Sequence, residues 1–394
     1  MDKNEKTTLT SSLILLLSIT CGVVVANMYY IQPIGTKVAA SLSVSTSAIG
    51  ILTMLTQLGY ALGLLFLVPL GDVVDRPKLI IRMAALSAIS LLAAFFAPSF
   101  TLFACASFLI GLLSIVPQII IPYGAVLAGP KARGKVMGTL LSGLLVGILL
   151  SRTVSGIVAS LFSWRMIYLF ALVLVAILTG LLYWKMPRTQ IKTTSSVSYL
   201  DSLKSLPYLV KTQRLLREAS ISGFFMFGTF SIFWSTLIFY ISSPVYHWGT
   251  FEAGILAIFG LSGAVAAPIV GRLSDSYSER KIVGMGLAMQ TLSFVALLVA
   301  GSHLVVLLVA IILLDVGNQF GQVANQTRVQ GLGEAASNRN NTVFMFMYFI
   351  GGATGSLLGT TMWQQFGWLG VTLTGLAFQL FAYICQYIIF QKRS

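Results

Sequence analysis

Almost every positive charge in this chain lies between apolar stretches, and those stretches are long enough to cross a bilayer. Apolar segments recur at 12–32, 47–70, 79–97, 101–128, 137–161, 164–184, 219–241, 250–271, 282–300, 303–326, 342–362 and 366–390. Each approaches the ~20 residues that a helix needs to span the hydrocarbon core. Let successive segments alternate direction, with the N-terminus cytoplasmic. The cytoplasmic side then holds Lys3, Lys6, Arg76, Lys78, Arg82, Lys131, Arg133 and Lys135. It also holds Lys185, Arg188, Lys192, Lys204, Lys211, Arg214, Arg217, Arg272, Arg280, Lys281, Arg328, Arg339, Lys392 and Arg393. Of the 25 Lys and Arg residues, only Lys37 and Arg165 fall on the other side, and Arg152 falls within a span. This bias is the positive-inside rule. One span more or fewer would scatter it. The pattern predicts an all-α membrane protein with twelve transmembrane helices in two six-helix halves, both termini cytoplasmic, resident in the plasma membrane (a bacterial inner or cell membrane) and in contact with its lipids.

The same distribution removes other classes. A net charge of +14 invites a nucleic-acid reading. That reading needs a basic groove or face, whereas here the cations sit in short connections that topology already explains. No nucleic-acid partner is expected. Cys21, Cys105 and Cys385 lie in apolar spans, without a CxxC pair or a Cys/His cluster, so no disulfide framework, metal site or other cofactor is expected. The first apolar stretch follows Lys3 and Lys6 as a signal peptide would. It is too long, and it ends in Asn27, Tyr29, Tyr30 and Gln32 rather than in small residues, so it reads as a retained helix. There is no GxxxxGK[ST] phosphate loop, and no cluster of nucleophile and base at membrane depth that would make an enzyme.

The polar stretch 185–217 divides the spans six and six, giving halves 1–184 and 218–394. Leu200, Leu203, Leu206 and Val210 recur within it at helical spacing, and Pro207 is expected to interrupt a continuous helix. A helix lying on the membrane surface and a solvated linker both stay open. The halves also repeat. Gly71-Asp72-Val73-Val74-Asp75-Arg76-Pro77-Lys78 follows the second span, and Gly271-Arg272-Leu273-Ser274-Asp275 with Arg280 and Lys281 follows the eighth. A parallel repeat of six helices is a transporter architecture, with the substrate site between the halves.

With these residues in view, the chain resembles the major facilitator superfamily over its full length. The Gly-x-x-x-Asp-Arg turn at 71–76, with Lys78, resembles the family signature between helices 2 and 3, and the turn after the eighth span is its second copy. The resemblance implies a cytoplasmic gate made of Gly71, Asp75, Arg76, Lys78, Gly271, Asp275 and Arg280. Both copies are imperfect: the first lacks the family's second Gly, and the second has Ser276 and Ser278 where Arg and Gly are usual. Asn27-Met28-Tyr29-Tyr30-Ile31-Gln32-Pro33, Trp164-Arg165 and Val323-Ala324-Asn325-Gln326-Thr327-Arg328 look like the drug:proton antiporter branch of bacterial exporters. That branch usually carries a Gly-Pro pair in helix 5. Here Gly143, Gly147, Ser151 and Ser155 repeat every four residues without the proline. Such a stripe lets two helices approach closely.

Two charges lie deep in the spans, Arg152 and Asp315. A charge there costs at least about 2.5–3.5 kcal/mol, so it marks a functional site by default. By helical rise they sit ~14 Å and ~18 Å from the same surface, and depth allows them to pair. Gln319, Gln322 and Gln326 follow Asp315 on one helix face, with Asn318 and Asn325 flanking. Asp315 is the candidate for proton coupling or substrate charge and Arg152 its partner or an anion anchor; a permanent bridge between the halves is the structural alternative. The candidate cavity is completed by Asn27, Tyr30, Gln57, Gln118, Asn318, Gln319 and Gln322. Each of the first four serves equally well as a substrate contact or as a hydrogen bond between helices. Phe230 and Trp234 are the candidates for an aromatic wall.

The sequence therefore predicts a secondary transporter that exports small molecules by alternating access and acts as a monomer. Energy comes from a proton or substrate gradient. Multidrug or lipophilic efflux through the carboxylate is one reading. A sugar, nucleoside or other polar metabolite held by Arg152 and the Gln/Asn face is the second. A non-transporting membrane sensor is the third.

Overall fold

The computed structural model describes residues 10–187, 199–273, 276–333 and 336–390. Lys3, Lys6, Arg188, Lys192, Asp275, Lys392 and Arg393 lie outside them. Among the described residues, eleven helical runs are long and apolar enough to cross a membrane. They are Ser11–Leu42, Thr46–Gly71, Arg76–Phe96, Phe100–Gly129, Ala132–Leu161, Met166–Lys185, Arg214–Ile241, Thr250–Leu273, Glu279–Ala300, Leu304–Gln330 and Ser337–Ile389, here the first to eleventh spans. The eleventh has 53 residues, or about 80 Å at the helical rise, against a hydrocarbon core of about 30 Å. It is broken at Gly367, whose φ of 61° lies in the left-handed region open to glycine. The expected stretches 342–362 and 366–390 are the two arms of this run. Gly129, with φ of 66°, makes the corresponding break between the fourth and fifth spans.

Two boundaries differ from the sequence reading, and one helix runs unbroken where an interruption was expected. The first span does not stop at residue 32. It turns at residues 27–30 and continues as Ile31–Leu42, and Lys37 is on this helix, bonded to the carbonyl of Ala159. The seventh span begins at Arg214, inside the stretch taken as a connection. Within that connection a helix runs through Tyr199–Thr212 with Pro207 inside it. Leu206 and Leu209 are buried on its inner side, and this tertiary packing outweighs the backbone hydrogen bond that proline removes. The helix bridges the basic side of the molecule. Tyr199 donates to the carbonyl of Phe66 at 3.0 Å, and Ser205 accepts from Arg339 at 2.9 Å.

Close packing is set by small residues. The first span lies on the fifth, where a Cβ at Gly143 or Gly147 would collide with Ser18 or Gly22. Ser155 adds a hydrogen bond to the carbonyl of Tyr30 at 2.6 Å. The second span meets the fourth and eleventh, the third meets the sixth, and the ninth meets the tenth. The fifth and eighth spans cross at Gly156 and Gly254, and Thr153 donates to the carbonyl of Gly254 at 2.8 Å. With Gly50 against Thr360, this crossing closes the sparsely charged side. The closed end leaves a cavity on the basic side of the crossing.

Candidate functional site

The cavity holds about 110 Å³, several times the ~10–15 Å³ needed for one water. Arg152 and Asp315 both line it. They come from the fifth and tenth spans, so the cavity is shared by elements from both ends of the chain. Of the candidate residues, Gln118, Phe230, Asn318, Gln319 and Gln322 also line it. Gln118 donates to the hydroxyl of Tyr60 at 3.0 Å, and Asn318 to that of Tyr348 at 3.0 Å. The Tyr348 hydroxyl also reaches Gln322 Oε1, at 3.2 Å. The first part of the tenth span's polar face, Asp315 to Gln322, is thus turned to the cavity, while Asn325 and Gln326 are turned to neighbouring helices, donating to Ser222 at 3.3 Å and to Asn341 at 3.0 Å.

Arg152 forms the end wall of the cavity. It is 1% exposed. Its guanidinium carbon lies 4.3 Å from the ring centre of Trp234, 4.9 Å from Tyr29 and 5.5 Å from Phe230. Its Nε donates to Gln32 Oε1 at 2.6 Å. Beyond it lies a small gap lined by Gln32, Pro33 and Trp234, among others. Nη1 and Nη2 have no hydrogen-bond partner, and neither does Oδ2 of Asp315. The similar depths allowed a bridge between them, yet they do not form a direct one. Asp315 instead sits where the eighth span passes at Gly260, and a Cβ there would be 3.1 Å from Asp315 Oδ1 and 3.4 Å from Trp234 Cζ2.

Three candidates are placed elsewhere. Asn27 donates to Ser87 at 3.5 Å, and Tyr30 stands edge-on to Tyr168. Both are turned into the first-half helices, because the turn at 27–30 rotates the helix after Ala26. Gln57 bonds Ser356 at 3.1 Å and Ser231 at 3.5 Å, tying the second span to the eleventh and seventh. Trp234 is an Arg152 neighbour rather than a lining residue of the main cavity. Sequence reasoning missed Tyr29, Tyr60, Tyr348, Phe227 and Phe349, all of which line it. An aromatic in an apolar span looks the same whether it faces lipid, helix or cavity, so no signal in the sequence marked them.

The turn residues lie on the basic side. Asp75 caps the third span, accepting from the Lys78 backbone at 3.1 Å, and its carboxylate is 3.8 Å from the Lys78 ammonium. Arg76 donates to the carbonyl of Gly71 at 2.8 Å. In the second copy, a Cβ at Gly271 would meet nothing within 4 Å, and Arg280 reaches Glu218 at 3.4 Å and the Gln386 carbonyl. Arg328 completes the cluster at 2.9 Å from the same Glu218 oxygen. Glu218 and Arg328 were missed as partners, although an acidic residue at a span end beside basic turns was visible.

A helical membrane protein with a polar cavity between its helices, closed at one end, has the architecture of a secondary transporter. Two overlapping stretches, residues 16–356 and 255–393, match the Major Facilitator Superfamily. The chain is 37% identical over 372 residues to the uncharacterized transporter YgaY of Escherichia coli O157:H7, covering 94% of each. Its fold superposes on the nucleoside transporter NupG with a TM-score of 0.73 at 15% identity, over 95% of this chain and 97% of that one. It superposes on a bacterial homolog to the human lysosomal transporter Spinster, in an inward-facing and unoccupied conformation, with a TM-score of 0.78 at 13% identity, over 98% and 96%. The chain belongs to the Major Facilitator Superfamily. It is a multi-pass membrane transporter with a small-molecule substrate, not an enzyme.

Proposed function

We propose that this transporter is a proton-coupled exporter of a small polar metabolite. The observation that carries the reading is the meeting of Arg152 and Asp315 in one cavity, each with unpartnered polar atoms. Both spans are deeply apolar, and charges placed at such depth serve binding or coupling by default. A carboxylate that gains and loses a cationic neighbour during a cycle can take up and release a proton. Asp315 has that setting; the other ionisable groups lining the cavity are Arg152, Tyr29, Tyr60 and Tyr348. Gln118, Asn318, Gln319 and Gln322 supply donors and acceptors for the solute.

The chain works as a monomer with twelve crossings and cytoplasmic termini, and its two six-helix halves, 1–184 and 218–394, rock about the cavity. The crossing at Gly156 and Gly254 closes the outer side. Gly71, Asp75, Arg76 and Lys78, with Gly271, Asp275 and Arg280, form the cytoplasmic gate. Export rather than import is carried by the resemblance to bacterial exporters.

Multidrug efflux is the second reading, favoured by Phe227, Phe230 and Phe349 in the same wall. The polar reading is stronger because Phe230 and Trp234 are engaged with Arg152. Proteoliposomes loaded with a pH-sensitive dye test both. Sugars, nucleosides, small organic acids and lipophilic cations are added in turn, and proton movement is followed. A polar solute should move protons, and Asp315→Asn should abolish the signal while the protein stays folded. Full coupling in that variant sinks the assignment of Asp315, and a response to lipophilic cations alone moves the bet to multidrug efflux.

A further inference from the structure

We propose that the solute enters this cavity as a single carboxylate seated on Nη1 and Nη2 of Arg152, so that the substrate class is a small monocarboxylate. The proposal rests on the transport reading above for its setting and on the surroundings of Arg152 for its chemistry.

A guanidinium has five N–H donors. Gln32 satisfies Nε, and both Nη atoms are left without a partner in a side chain that is 1% exposed. Three rings hold the charge. Cation–π contacts favour the charge, whereas burying an ion is costly even after the protein relaxes. The rings therefore offset much of the electrostatic cost, and they leave the hydrogen-bonding demand of four N–H bonds unmet. Among the described residues no acceptor fills that demand, and Asp315 Oδ2 is itself unpartnered. The site is thus fixed in position, positive and short of an acceptor.

Charge and shape choose among anions. One guanidinium carries one positive charge, and its planar fork matches a carboxylate through two parallel bonds. A phosphate monoester brings about −1.5 to −2 at pH 7. With Arg152 the sole cation among the described lining residues, that excess would be stranded away from water, whereas a monocarboxylate is matched one to one when Asp315 carries the proton. A neutral amide or ester offers an acceptor but no charge. The cavity has room for a small solute, and Gln118, Asn318, Gln319 and Gln322 are placed to bond its remaining polar groups.

The test measures binding to the purified full-length protein at fixed pH, by calorimetry and by thermal stabilisation. The probes are benzoate against benzamide, lactate against lactamide, and inorganic phosphate. The acid of each pair should bind about 10–100-fold more tightly than its amide, the range for losing a charged hydrogen-bonded pair. Arg152→Gln should remove that preference, and Arg152→Lys should keep part of it. Equal binding of acid and amide overturns the proposal, as does tighter binding of phosphate than of either acid, or failure of every probe to bind at millimolar concentration. If Arg152→Gln does not fold, the acid and amide pairs on the native protein and on Arg152→Lys still decide. Asp315→Asn separates the two readings. An acid preference kept in that variant, with proton movement lost, supports both. An acid preference kept with proton movement unchanged sinks the coupling role and leaves the carboxylate site standing.

Discussion

The turns after the second and eighth spans differ in the contacts of their described residues. In the first, Asp75 caps its own helix and pairs with Lys78, whose side chain is 65% exposed. In the second, Arg280 leaves its turn and meets Glu218 at the start of the seventh span, where Arg328 joins it from the tenth. The side chains of Glu218 and Arg328 are 8% and 7% exposed. One copy orders a turn, and the other ties three spans together. Burial rather than spacing sets the cost of breaking a charge pair, so losing the Glu218 cluster is expected to cost more than losing the Asp75–Lys78 pair.

The difference can be broken from its strongest member downward. Glu218→Ala leaves two arginines facing each other without a counter-charge. It should cost about 3–5 kcal/mol, seen as the largest loss of thermal stability in detergent. A loss no greater than that of Asp75→Ala would remove the asymmetry. Arg328→Ala should follow at about 1.5–3 kcal/mol, as a buried charged bond. Arg280→Ala should be milder, since its side chain is 28% exposed. A double-mutant cycle between Glu218 and Arg328 should show coupling, whereas additive losses would mean the contact is incidental. Asp75→Ala should cost about 1 kcal/mol through the lost helix cap. Lys78→Ala should cost no more than about 1 kcal/mol and should lose even that in high salt; a larger, salt-insensitive effect would mean that the first turn is buried during the cycle.

The span pattern was legible because membrane insertion is decided locally, segment by segment. The division of the last run near Gly367 was legible too, as the gap between 342–362 and 366–390, whereas the continuation of the first span to Leu42 was not, because apolar composition runs through it. At the site, Asp315, Asn318, Gln319 and Gln322 were legible as one face of one helix. Asn27, Tyr30 and Gln57 have equally polar side chains and lie outside the cavity, bonded to Ser87, edge-on to Tyr168, or joined to Ser356. Tyr29, one residue from Tyr30, lines the cavity and covers Arg152 instead.

The sequence by itself determined a membrane transporter of helical spans, its charge bias and the two deep charges, since each follows from the free energy of placing a residue in hydrocarbon or water. The tertiary structure alone decided that Arg152 is held by three rings and Gln32, that it stands apart from Asp315 in a shared cavity, and that the second turn is anchored through Glu218. Those depend on which helices meet and at what rotation, and that is fixed by contacts between residues far apart in the chain.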